Sequence, residues 1–205
     1  NELFSAAPFT LEIIQYVGIA TAFVTATIAM RQNDIKKVLA YSTVSQLGLM
    51  FAAIGSGAYI AAVFHVMTHA FFKALLFLGA GSVIHGMYHE QDMRKMGGLR
   101  KAMPTTFITM LISSLAISGI PPLAGFFSKD EILITAFHNT IALWVIGSVA
   151  SLMTAFYMFR LMFLTFYNDF RGTAEQKSHL HESPALITIP LIILAILATV
   201  GGLIS

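Results

Sequence analysis

The sequence contains no cysteine. That absence excludes a disulfide framework, a thiolate metal site and an iron–sulfur cluster held by this chain. Charge is scarce too. Asp, Glu, Lys and Arg make up 11% of the 205 residues, against about 25% in soluble domains. The net charge is +2, with no basic run of the kind that grips a phosphate backbone, so nucleic acid is not an expected partner. The chain opens at Asn1, not Met, and enters an apolar stretch almost at once, without the basic front of a cleavable signal. A piece of a longer polypeptide is expected. What is present is mostly apolar: 57% hydrophobic residues and a mean hydropathy of +0.77. The expected fold class is all-α, a polytopic transmembrane helix bundle lying in the lipid bilayer.

Apolar runs at residues 5–30, 35–54, 58–85, 104–140, 141–167 and 184–204 mark the expected spans. Asn33 or Asp34 is placed to cap the second, and Gly55 to Gly57 to stop it. The fourth is too long for one straight span. It contains GIPPLAG, residues 119–125, where two adjacent prolines remove two backbone donors and must break the helix. Residues 168–183 read as a polar loop. Gly79, Gly81 and Gly147 are expected at close helix contacts. Three connections carry nine of the twelve lysines and arginines: Arg31, Lys36, Lys37; Arg94, Lys95, Arg100, Lys101; Arg171 and Lys177. The alternate connections carry none. If each span crosses once, all nine share one side, which the positive-inside rule makes cytoplasmic.

Lys73, Lys129 and Arg160 are the basic residues left inside spans. Lys73 lies about 20 Å from either end of its apolar stretch at the helical rise per residue, too deep to snorkel to the headgroups. A charge there costs roughly 2.5–3.5 kcal/mol on insertion scales, so its presence points to traffic in protons or ions. His65 and His69 precede it at i, i+4 spacing, placing all three on one helical face. Histidine exchanges protons near neutral pH, so bridging water would turn the column into a path. A packing face with bonded imidazoles is the plainer alternative. A metal site lacks a carboxylate or thiolate on that face. Lys129, Asp130 and Glu131 follow the proline break, where orphan backbone groups admit water; Asp130 or Glu131 is the expected counter-ion of Lys129. Ser42, Ser45 and Gln46, with Tyr41 nearby, form a polar stripe on the second span that could hold water beside Lys73 or bond neighbouring helices. Arg160 either snorkels or works inside. Glu12 is expected at an interface, and His179, His181 and Glu182 in a solvated loop.

Four strings are familiar together: DIKKVLAYSTVSQLG, FHVMTHAFFKALLFLGAGSVIH, EQDMRKMGGLRKAMP and SGIPPLAGFFSKDEIL. They resemble, in the same order, the antiporter-like membrane subunits of respiratory complex I, NADH–quinone oxidoreductase, and among these the distal, L-type branch. Mrp-type cation/proton antiporter subunits share the general pattern, but EQDMRKMGGLRK and GFFSKDEIL look more like complex I. The family fold has two inverted repeats of five helices, each with one broken helix. The resemblance implies that residues 1–167 are the second repeat and residues 184–205 a further helix.

By that resemblance Lys73 matches the central lysine of a hydrated axis and His65 and His69 the histidines leading to it. Lys129 matches the lysine at the broken helix, with Asp130 beside it. Nothing matches the glutamate–lysine pair of the family's first repeat, so half a proton path is implied. The implied function is that of a proton-translocating subunit of NADH–quinone oxidoreductase, with no cofactor in this chain. NADH, FMN, iron–sulfur clusters and quinone would sit in partner subunits, protons would be the cargo, and other membrane subunits of complex I the neighbours. A multi-pass location in a bacterial inner membrane follows. The alternatives are a Na⁺ or K⁺/H⁺ antiporter subunit, which would want a coordinating carboxylate, and a structural anchor.

Overall fold

The computed structural model describes residues 7–204. The start expected for the first span, at residue 5, lies outside them, as do Asn1 and residue 205. Helices α1 (Pro8–Arg31) and α2 (Ile35–Gly55) form an antiparallel hairpin. Small residues set its closeness: a Cβ on Gly18 would meet the backbone of Ala52 and Gly48, and one on Gly48 the backbone of Ala22 and Gly18. Asp34 starts α2 by accepting the N–H groups of Lys36 and Lys37. Its carboxylate offsets the two cations crowding that helix N-terminus.

Helix α3 (Tyr59–Gly86) runs through the centre, and α4 (Pro104–Ser118) ends at the proline break. Gly119, at φ 77°, closes α4 in a Schellman turn, with Ile120 N–H donating to Leu115 O and Gly119 N–H to Ala116 O. Helix α5 (Ala124–Asn139) resumes after Leu123. The break thus occupies residues 119–123, two fewer than expected, because Ala124 and Gly125 pack as the first turn of α5 against the end of α4. Helix α6 (Ile141–Phe166) and helix α8 (Ala185–Val200) complete the bundle.

Backbone bonds gather the three basic connections at one end. Ile35 N–H donates to Gln91 O at 3.0 Å and Met93 N–H to Asn33 O at 2.9 Å; Gly98 N–H donates to Tyr167 O at 2.9 Å. Arg171 donates to the carbonyls of Arg94 and Met93. The same connection is pinned electrostatically. Backbone N–H of Asp92 holds the Glu90 carboxyl below its usual range, and the Arg94 guanidinium does the same for Asp92. Helix α6 ends at this pole and is about 39 Å long, so it begins at the other, and α4 with α5 makes one crossing. Among the described residues, four helices (α1, α2, α3 and α6) are long and apolar enough to cross a membrane, while α4 and α8 are shorter apolar helices. Large apolar side chains face outward, Leu186 at 87% and Ile60 at 82% exposure, whereas Gln46, His65, Lys73, Ser128 and Lys129 are buried. The expected all-α membrane bundle is what folds.

Several local expectations change. Gly81 faces open space and serves no close contact, whereas Gly79 meets Met110 and Gly147 meets Leu133. The polar loop contains a short helix, α7 (Ala174–His179), started by a Thr173/Gln176 capping box. Glu182 is not a solvated loop residue. Its carboxylate accepts Thr105 N–H at 2.7 Å, Thr106 N–H at 3.2 Å and the Thr106 hydroxyl at 2.6 Å. Helix α4 has no side-chain cap of its own, so its orphan amides recruit this distant carboxylate. Arg160 reaches out of its span to the basic end, where it donates to Gln32 O and Asn33 Oδ1 of the α1–α2 turn. Hydrogen bonds from a charged donor are worth about 1.5–3 kcal/mol. Arg160→Gln should therefore lower the unfolding midpoint in detergent, with Arg160→Lys falling between the two.

Candidate functional site

The apolar periodicity of α3 leaves one side for His65, Thr68, His69 and Lys73, all buried. Four helices meet there. The Lys73 ammonium donates to the Leu39 carbonyl of α2 at 3.1 Å. Lys129, on α5, donates to Ile117 O at 2.9 Å, in the last turn of α4. That carbonyl belongs to the unsatisfied end of a helix, where the dipole favours a cation. Gly125 makes this possible, because any Cβ there would enter the Ala116 carbonyl.

His65 is fully engaged. Its Nε2 is 3.2 Å from Gln46 Oε1 and its Nδ1 2.8 Å from Ser128 Oγ. The Gln46 amide turns its nitrogen to Thr154 Oγ1 at 3.3 Å, so its oxygen faces the ring. That arrangement puts the ring proton on Nε2 and lets the Ser128 hydroxyl donate to Nδ1. Thr68 Oγ1 approaches Ser128 Oγ at 3.0 Å. On the far side, Tyr157 Oη lies 3.2 Å from Thr154 Oγ1 and 2.8 Å from Ser42 Oγ. A continuous buried chain of polar groups therefore runs from Thr68 on α3, through α5 and α2, to Tyr157 on α6. His69 differs. Its ring centre is 6.1 Å from that of His65 and edge-on to Phe72, and its Nε2 has no hydrogen-bond partner among the described residues.

The counter-ion role changes, and the polar stripe of α2 takes its interhelical alternative. Asp130 and Glu131 are exposed, and among the described residues no carboxylate pairs with Lys129. Successive helical residues are about 100° apart, so burying Lys129 turns Asp130 outward. Ser45 does not face the lysine; its hydroxyl donates to Ala22 O of α1 at 2.9 Å. Ser42 and Gln46 belong to the central network but are occupied by Tyr157 and His65. Tyr41 is only half-buried, and Glu12 is exposed. Sequence reasoning missed Ser128, Thr68, Thr154 and Tyr157. Ser128 precedes Lys129, Thr68 lies three residues from His65 on the same face, and Thr154 and Tyr157 are polar residues at i, i+3 in a largely apolar helix. Ser128→Ala would leave a buried ring nitrogen short of a donor, at a cost of about 1–3 kcal/mol. Faster hydrogen exchange at the start of α5 would register it.

An apolar exterior around buried lysines, histidines and hydroxyls at a helix break defines a multi-pass integral membrane protein with an ionisable interior. The chain belongs to the NADH:quinone oxidoreductase/Mrp antiporter transmembrane family, which matches residues 1–154. It is 52% identical to NAD(P)H-quinone oxidoreductase chain 5 of Picosynechococcus sp., over 99% of this chain and 34% of that one. It is 51% identical to NADH-quinone oxidoreductase subunit L of Rhodobacter capsulatus, over 100% and 30%. The chain thus spans about a third of the length of these relatives. A chain of an archaeal respiratory complex, the membrane-bound sulfane sulfur reductase, superposes with a TM-score of 0.85 at 30% identity, covering 93% of this chain and 32% of that one. The Mrp complex of Dietzia sp. gives 0.85 at 20% identity over 98% and 45%, a likeness of fold alone.

Proposed function

We propose that this chain is the second five-helix repeat, plus one further helix, of a proton-translocating L-type membrane subunit of NADH–quinone oxidoreductase. The observation that carries the reading is the burial of Lys73 and Lys129 beside His65 and His69 with, among the described residues, no carboxylate paired to either lysine. Structural ion pairs need partners; groups that exchange protons need to change charge. Similarity to chain 5 and subunit L of quinone oxidoreductases supports the assignment. Its partners would be the other membrane subunits, which with the redox arm would hold NADH, FMN, iron–sulfur clusters and quinone. Its membrane would be energy-transducing, the bacterial inner membrane if the source is bacterial.

The mechanism is electrostatic. A proton moves by water between Lys73 and Lys129 past His69 and His65, because Ser128, next to Lys129, touches His65, while Lys73 bonds to Leu39 O nearer the basic end. Buried polar atoms are nearly always hydrogen-bonded, so His69 Nε2 is the natural anchor for such water. Two unit charges 10 Å apart at an effective dielectric of 20 interact by about 1.7 kcal/mol, enough to change a neighbour's proton occupancy by more than tenfold. Asp130, on the outer side of α5, can take part only at the surface of this chain. Replacing sodium by choline in a proteoliposome assay of the parent complex should leave transport unchanged. A sodium requirement would favour a cation antiporter instead.

A further inference from the structure

The buried chain of polar groups from Tyr157 to Thr68 looks like a proton wire, but its middle member cannot pass a proton. Gln46 is a carboxamide, which donates from nitrogen and accepts at oxygen without handing protons from one to the other. Its orientation is set from α6. The Thr154 hydroxyl has a single hydrogen and donates it to Ala150 O, one turn back, at 2.9 Å. Towards Gln46 it therefore offers a lone pair, which accepts the amide Nε2–H at 3.3 Å. Turning the amide over would set its oxygen against that lone pair, acceptor against acceptor. Gln46 and Thr154 are both fully buried, so bulk water cannot relieve the mismatch. Tyr157, 2.8 Å from Ser42 Oγ, closes the α6 side of the network.

With the amide oxygen turned towards α3, His65 Nε2 at 3.2 Å must hold a hydrogen whatever the charge of the ring. Nδ1 is different. It faces Ser128 Oγ at 2.8 Å, and this hydroxyl has a second acceptor in reach, Ala124 O at 3.3 Å. While the ring is neutral, Ser128 donates to Nδ1. Once Nδ1 is protonated, it donates to Ser128 Oγ and the hydroxyl swings to Ala124 O. One hydroxyl rotation satisfies both states, and no helix moves. In uptake the hydroxyl gives its hydrogen to Nδ1 and takes another from a protonated water. The ring gains one proton and the serine is unchanged; release is the reverse. We propose that Gln46 is a positioning residue that keeps a hydrogen on His65 Nε2, so that His65 loads and unloads only at Nδ1, through Ser128. His65 is then a side store on the proton route, not a link through which protons pass. This inference rests on the proton-path reading.

The test is ¹³C,¹⁵N-histidine NMR on the intact complex in its membrane, with the His65 ring assigned by its loss in His65→Asn. The resting wild type should carry a hydrogen on Nε2. Gln46→Met removes the acceptor, so a tautomer with its hydrogen on Nδ1, donating to Ser128, should appear. Thr154→Val frees the amide to turn over and should do the same more weakly, while Thr154→Ser should keep the wild-type spectrum. A wild-type ring with its only proton on Nδ1 would overturn the proposal. So would an unchanged ring in both Gln46→Met and Thr154→Val. If Gln46→Met does not assemble, the two Thr154 variants carry this arm. Transport supplies the second arm. His65→Asn should slow proton transfer about fivefold, well short of the roughly hundredfold expected of an in-line proton-transfer group. A loss equal to that of Lys73→Met would make His65 a through-link and overturn the store. The tautomer is read at rest and needs no transport. It can therefore hold where Lys73→Met refutes the proton path, and fail where the path stands.

Discussion

Lys73→Met in the parent complex is expected to lower proton transfer by roughly a hundredfold, the scale of losing a positioned proton-transfer group, with assembly retained. Methionine fills a similar volume and removes the buried charge, so the packing around this buried position has no reason to fail. The structure also separates charge from exchange. Lys73→Arg keeps a positive group near the Leu39 carbonyl, but a guanidinium does not release its proton in proteins. Both variants should therefore be inactive. If arginine supports transport, Lys73 acts only as a fixed charge. If methionine does, Lys73 has no part in the path. Proton release by the reconstituted complex against its NADH oxidation rate is the measurement.

Gly125→Val should be the most damaging single change at the helix break. Its Cβ would enter the Ala116 carbonyl, a backbone group, with no flexible side chain to yield. Overpacking commonly costs 1–3 kcal/mol, occasionally more, and about 3 kcal/mol is expected here. The functional loss should be larger, because displacing α5 breaks two bonds at once: Lys129 to Ile117 and Ser128 to His65. Gly81→Ala, which meets nothing, should behave as wild type or slightly better. An unfolding midpoint in detergent, read alongside proton transfer, distinguishes the two positions.

The periodic and local features could be read in advance. Six apolar runs, the Asp34 cap, the stop at Gly55 and the proline break all depend on nearest neighbours in sequence. The shared face of His65, His69 and Lys73 needs only the helical repeat. The partners could not be read, because they depend on how helices dock. Ser128 lies 63 residues from His65, and Tyr157 lies 115 from Ser42. Glu182 joins α4 only because that helix begins with an uncapped proline turn. Nothing in the neighbouring residues marks Gly18 and Gly48 as the point where two helix backbones meet. Asp130 is different: the 100° helical step from Lys129 turns it to another side of α5, so neighbours in sequence are not neighbours in space.

Selective ¹⁵N-lysine labelling of the intact complex, with the Lys73 signal assigned by its loss in Lys73→Met, tests the central claim directly. The amine should be shielded from bulk water, and its charge state should differ between the resting complex and the complex during turnover. A signal that stays fully charged throughout, or that exchanges freely with solvent in both states, would contradict a buried proton-exchanging lysine.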